Sequence, residues 1–155
     1  MGKRVYTVEF HNVAIVAVED LIAIYCGASM AVELHGIVIG QITNTSQQNL
    51  NISIKRLAAT VTSGSGGSAA TPQKTSKNDA AATATARIND TTQATSSGVT
   101  TLHSDVFSTI NGYQFFWTQA TMPDAALSEA LVLSLNTAPV ASMNVSGTLY
   151  FAEKI

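Results

Sequence analysis

The stretch LHSDVF sets His103, Ser104 and Asp105 side by side, the three side-chain types of an acyl-transfer triad. Successive side chains of a strand point to opposite faces, so Ser104 faces away from both neighbours and no proton relay forms among the three. They read as polar positions at a strand edge or turn. His11 and His35 share no H-x-x-x-H spacing with each other or with His103, and no metal site is expected from them. Glu19 and Asp20 are adjacent and read as a solvated turn or as salt-bridge partners. Cys26 is the only cysteine, which excludes an intrachain disulfide and a Cys-rich zinc site. Its place in the apolar run LIAIYC predicts a buried, inert thiol. No catalytic residue, cofactor or metal is assigned.

The segment TSGSGGSAATPQKT, residues 62–75, has the glycine density of a phosphate loop but not its register. A phosphate loop needs G-x-x-x-x-G-K-[S/T] between a strand and a helix, whereas Lys74 follows Gly67 only after Pro72. GGSAA also fails as a nucleophile elbow, because alanine stands where the last glycine must be. Apolar strand patterns flank the segment on both sides, so it is a long surface loop and not an interdomain linker. Residues 50–89 carry Lys55, Arg56, Lys74, Lys77 and Arg87 against Asp79 alone, a net of +4, leaving −6 for the rest of a chain of net charge −2. The expected role is an interaction loop over about 62–79. Gly64, Gly66 and Gly67 would give it reach, Pro72 would stiffen its return, and Lys74 and Lys77 would meet an acidic neighbour.

The aromatic run YQFFW, residues 113–117, places Tyr113, Phe115 and Trp117 on one strand face and Phe116 on the other. A core seam is the first reading. A row exposed to solvent would instead stack on sugar rings or on another subunit, so Tyr113 and Trp117 join the candidate interface.

These residues are positioned by strands. Tyr6, Val8 and Phe10 share one face of YTVEF; Leu50, Ile52 and Ile54 share one face of LNISIK. Leu131, Leu133 and Leu135 alternate with Val132, Ser134 and Asn136, and Met143, Val145, Leu149 and Phe151 alternate with polar residues. Each predicts a strand with one wet or partner-facing side. VAIVAV (13–18) and HGIVIGQI (35–42) are apolar on both faces and predict central strands, with Gly36 and Gly40 marking a bulge or a close approach. Turn signals stand at His11–Asn12, at 44–49, at 110–113, at 122–125 and at 136–139. Weaker segments near 83–89, 99–107 and 113–118 bring the count to eight or nine strands, the pattern of an antiparallel β-sandwich of jelly-roll type with a long Gly/Ser-rich loop. Helix is conceivable only at VEDLIAIYC, where Asp20 would cap, and at SKNDAAATA; the first favours a strand.

With 155 residues the chain fits one domain, 1–155. Charged residues are 12%, about half the usual 25% of a soluble domain, and Ala, Thr and Ser make up about a third. Such a surface suits coverage by copies of itself or by partners, since interface cores are depleted in charge. The charge of −2 gives no reason to expect nucleic acid or an anionic membrane as partner. MGKRVYTVEF carries no signal-peptide h-region or myristoylation serine, and no apolar run is long enough to span a bilayer. The sequons at Asn44, Asn51, Asn89 and Asn144 carry no weight in a chain this rich in Asn, Ser and Thr.

Four segments, RVYTVEFHNVAI, TSGSGGSAATP, TLHSDVFSTINGYQFFW and MNVSGTLYFAEK, make the chain resemble small proteins encoded among the virion genes of tailed bacteriophages. The resemblance implies a structural virion component and brings no catalytic residue with it. The expectation is a head decoration or cement subunit, a homotrimer or similar oligomer on the major capsid protein. The alternatives are a tail or head-fibre subunit, or a carbohydrate-binding sandwich module for host attachment.

Overall fold

A computed structural model describes residues 2–43 and 47–155; the turn signal and sequon at Asn44 begin outside the described residues. Among the described residues there are twelve strands and no helix. They are β1 (Lys3–Ile15), β2 (Glu19–Tyr25), β3 (Val32–Gln41), β4 (Asn49–Ala58), β5 (Ser68–Ala70), β6 (Gln73–Lys74), β7 (Thr85–Asp90), β8 (Gly98–Ser108), β9 (Tyr113–Phe116), β10 (Asp124–Ala125), β11 (Ala130–Leu135) and β12 (Met143–Lys154). Periodicity predicts eight or nine; the two- and three-residue strands β5, β6 and β10 are too short to carry a period.

The strands form two antiparallel six-stranded sheets, a β-sandwich. One sheet runs β10-β3-β12-β1-β6, with β9 also on β3; the other runs β5-β7-β2-β11-β4-β8. The alternating apolar positions meet between them. Tyr6, Val8, Phe10, Ile37, Ile39, Leu149 and Phe151 of the first sheet pack on Ile22, Ile24, Leu50, Ile52, Ile54, Phe107, Leu131 and Leu133 of the second in one core cluster.

Three expectations are corrected. Residues 13–18 are not a central strand: β1 ends at Ile15, and Val16 and Val18 lie exposed in the connection to β2. His11–Asn12 is not a chain reversal but a bulge within β1, with Asn12 at φ 54° and the register against β12 shifting between Phe10 and Val13. The outer face of β11 is not wet, since Val132 and Ser134 are both buried. The segments 59–67 and 91–97 bridge each other at Thr62–Thr95 and Ser65–Thr92, and Val61 and Ala94 pack on Ala23, Leu57, Ala130 and Val132. This flap turns part of the outer face of the second sheet into a small second core.

The chain then straps the open side of the sandwich. β5 pairs with β7 in the second sheet, while β6 pairs with Tyr6 and Thr7 of β1 in the first. Thr75 donates to the Val5 carbonyl, Tyr6 donates its hydroxyl to Ala80, and the buried Glu153 accepts from the Thr83 and Ala84 amides at 2.6 and 2.8 Å. SKNDAAATA is therefore extended and turned, not helical, because its backbone is held by strand-edge and side-chain partners.

Candidate interaction surface

Glycine in the 62–70 segment serves close packing, not reach. A Cβ on Gly67 would stand 2.1 Å from the Ile88 carbonyl, and one on Gly64 would stand 2.7 Å from the Thr92 carbonyl; Gly66 has φ +92°. Gly64 donates to the Tyr25 hydroxyl and Gly67 to Asp90. Pro72 is half-buried at the crossing between the sheets. Of the expected contact residues in this loop, Gly66, Lys74 and Lys77 face solvent; neither lysine meets a carboxylate among the described residues, and Lys74 donates to the Asp79 carbonyl. Arg56 and Arg87 are occupied by Asp124 and Asp90.

Acidic residues hold the flap. Glu19 and Asp20 are buried and not solvated. Asp20 accepts from the Ala94 amide at 2.7 Å and the Ser134 hydroxyl at 2.8 Å; Asn89 donates to Glu19 at 3.0 Å. Burial raises both carboxyls above their ordinary values, and these hydrogen bonds oppose the rise without cancelling it. Cys26 is buried with its thiol against the Ala125 carbonyl, and burial pushes it up to about 11. That is the environment of an inert thiol.

His103 and Asp105 meet through a residue that strand periodicity cannot supply. The Tyr113 hydroxyl lies 3.0 Å from His103 Nε2 and donates to Asp105 at 3.0 Å, joining β9 of one sheet to β8 of the other. Burial first, then the Asp105 hydrogen bond and charge, push the Tyr113 phenol well above its ordinary value, so it is a neutral donor. Ser104 is exposed and alternates to the opposite face. Behind this bridge the His103 ring packs tilted against Phe115 and edge-on against Trp117, and those two rings meet edge-on at 4.9 Å. Trp117 is only 9% exposed, so Tyr113, Phe115 and Trp117 form the core seam, and the exposed ring of the run is Phe116. The imidazole of His35 instead bonds Glu33 at 2.9 Å, while its carbonyl accepts from the Trp117 amide, and the His11 imidazole lies beside the Ser146 hydroxyl. No three His, Cys, Asp or Glu side chains among the described residues gather as a metal site.

The two ends of the sandwich differ in chemistry. At one end Lys3 pairs with Glu33, and Lys154 pairs with Asp124, which also meets Arg56. The other end is built by the described residues of the four connections β1–β2, β3–β4, β8–β9 and β11–β12, residues 16–18, 42–43 with 47–48, 109–112 and 136–142, and these contain no Asp, Glu, Lys or Arg. There Val16 is 62%, Ile42 55%, Ile110 61% and Val140 93% exposed, with Val18 beside them. Hydrogen bonds tie the loops to one another and to β12: Ile42 donates to the Asn144 carbonyl, the Thr109 amide donates to the Gln48 carbonyl while the Gln48 amide donates to the Thr109 hydroxyl, and Val140 donates to the Gln48 side chain at 2.6 Å. A shallow groove of about 350 Å³ between Val38–Gln41 and Thr109–Gln114 opens beside Ile110. Sequence reasoning missed this surface. Its signal was aliphatic residues inside turn segments, which periodicity discards.

No protein-family model matches the chain, and no curated protein and no solved structure matches it.

Proposed function

We propose that the chain is a bacteriophage virion structural protein, a head decoration or cement subunit with a jelly-roll sandwich, which clusters as a homotrimer or similar oligomer and docks on the major capsid protein. The observation that carries this reading is the uncharged aliphatic end. Four loops from both sheets expose five large aliphatic side chains with no charge among them, the composition of an interface core and not of a solvated surface. Nucleic acid and membrane are not its partners on this reading.

The jelly-roll assignment is supported by nested pairing. β1 pairs with β12, β2 with β11, β3 with β9 and β4 with β8, as when one long antiparallel ribbon is rolled so that successive strands alternate between sheets. The flap and strap, 59–97, are then an insertion between the fourth and fifth strands of that ribbon. The resemblance noted above supports the virion setting.

The test is solution mass by light scattering, then mixing with undecorated capsids, for the wild type and for a Val140→Asp, Ile110→Asp double variant. The expected result is an oligomer that binds shells and a folded variant that does not. A wild-type monomer that ignores shells overturns the decoration reading and moves the role to tail assembly.

A further inference from the structure

We propose that the cleft between β1 and β7 binds a guanidinium group, held by Glu19 and Asn89. The site stands apart from the decoration reading and does not depend on it.

Three carboxylates lie buried on this side of the second sheet, Glu19, Asp20 and Asp90, and two of them are well supplied with donors. Asp20 accepts from the Ala94 amide and the Ser134 hydroxyl, and Asp90 accepts from the Gly67 amide and from the Arg87 guanidinium. Glu19, 2% exposed, has one donor among the described residues, Asn89 Nδ2 at 3.0 Å, and no cation. Burial raises its carboxyl, the Asn89 bond lowers it in part, and the charges of Asp20 and Asp90 raise it again. The same amide leaves its Oδ1 buried with no partner. An unmet buried carboxylate and an unmet buried carbonyl are each costly, and here they are hydrogen-bonded neighbours.

Both line one cleft. It opens where β1 of the first sheet parts from β7 of the second, holds about 270 Å³, and is walled by Val13, Ile88 and residues 66–68. The free groups are acceptors, so the occupant donates, and the carboxylate calls for a cation. A calcium ion would take about six to eight oxygens; no three His, Cys, Asp or Glu side chains gather anywhere among the described residues. A cation with N–H donors needs only the two acceptors present. Between ammonium and guanidinium, burial decides: guanidinium is the more weakly hydrated, and its planar fork serves a carboxylate and an adjoining carbonyl together. The cleft is smaller than the roughly 300–1,000 Å³ of drug-sized sites, which limits the occupant to a head and stem of side-chain size. Val13 and Ile88 supply apolar cover for the stem.

The test is calorimetric titration of the whole chain with butylguanidine, with butyltrimethylammonium, a cation without N–H donors, and with the peptide acetyl-Gly-Arg-Gly-amide. Butylguanidine is expected to bind once per chain, about tenfold or more tighter than butyltrimethylammonium. Glu19→Gln, which removes the charge and keeps the shape, is expected to weaken binding about tenfold or more. Asn89→Gly removes the free Oδ1, suits the φ of 54° at this position, and is expected to weaken binding several-fold; it carries the test should Glu19→Gln not fold. Peptide binding as tight as butylguanidine assigns the site to an arginine of a partner protein, and binding of butylguanidine alone assigns it to a free small molecule. No binding of either guanidine at millimolar concentration overturns the site, as does binding that neither substitution weakens. Equal affinity for butyltrimethylammonium overturns the guanidinium assignment. Shell binding measured on the same samples is expected to be unaffected by Glu19→Gln, which keeps a failure here distinct from a failure of the decoration reading.

Discussion

Gly67 donates its amide to Oδ1 of Asp90 across 3.0 Å, and Asp90, itself buried, spends its remaining capacity on the Arg87 guanidinium at 2.7 Å. The contact fixes the strap to β7 at the point where the backbones are closest. Gly67→Ala must push its Cβ off the Ile88 carbonyl, which belongs to a paired strand and has nowhere to go. The expected loss is about 1–3 kcal/mol, as for other overpacked sites. Gly40→Ala, with nothing within 4 Å of the added methyl, is the control and is expected to be neutral or to gain up to about 1 kcal/mol. Urea midpoints of the two variants decide it. Equal midpoints would mean that the segment is a loose arm after all.

Strands that bury one face were legible in the chain because their signal is local. Tyr6, Val8 and Phe10, or Leu50, Ile52 and Ile54, announce a buried face within six residues, and all six lie in the core. Gly36 was also marked as a close approach, and there the Phe116 ring lies 2.2 Å from where a Cβ would be. What escaped depends on residues far apart. Val132 and Ser134 look like a wet face until the flap, seventy positions earlier at its first half, covers them. VAIVAV looks like a central strand because nothing in six apolar residues says where pairing stops. Tyr113 joins His103 to Asp105 only because β8 and β9 lie in opposite sheets, a relation with no period. The exposed aliphatic end was hidden for the opposite reason: a valine or isoleucine in a turn breaks no local rule until four such turns converge.

Trp117 is the single tryptophan and reports directly on the sugar-stacking alternative. Packed edge-on against Phe115 and His103 and 9% exposed, it is expected to be quenched by acrylamide several-fold less than a free indole, with a blue-shifted emission. Unfolding in urea should restore full quenching. Quenching in the folded protein that matches the unfolded chain would put the ring in solvent and revive the carbohydrate face.

Two sets of carboxylates give the stability curve opposite slopes. For Glu33, burial alone would raise the carboxyl; hydrogen bonds from Lys3 and His35, with their charges, outweigh it and hold the group below its ordinary 4.5. Its contribution is present above that value and is lost as pH falls through the lowered folded value. For Asp20, burial raises the carboxyl above its ordinary 3.8, so the folded state takes up a proton before the unfolded one does. The cost of its buried charge is borne at neutral pH and relieved as pH falls through the raised value toward 3.8. Asp20→Asn separates the two. The amide oxygen still accepts from Ala94, and the amide nitrogen donates to the Ser134 hydroxyl, which reverses its role. The variant is expected to melt at or above the wild type at pH 7 and to lose that margin as pH falls toward 3.8, while the acid limb set by Glu33 stays where it was. A variant that is less stable at pH 7 by about 1 kcal/mol or more would show that the charged form of Asp20, and not just its geometry, holds the flap.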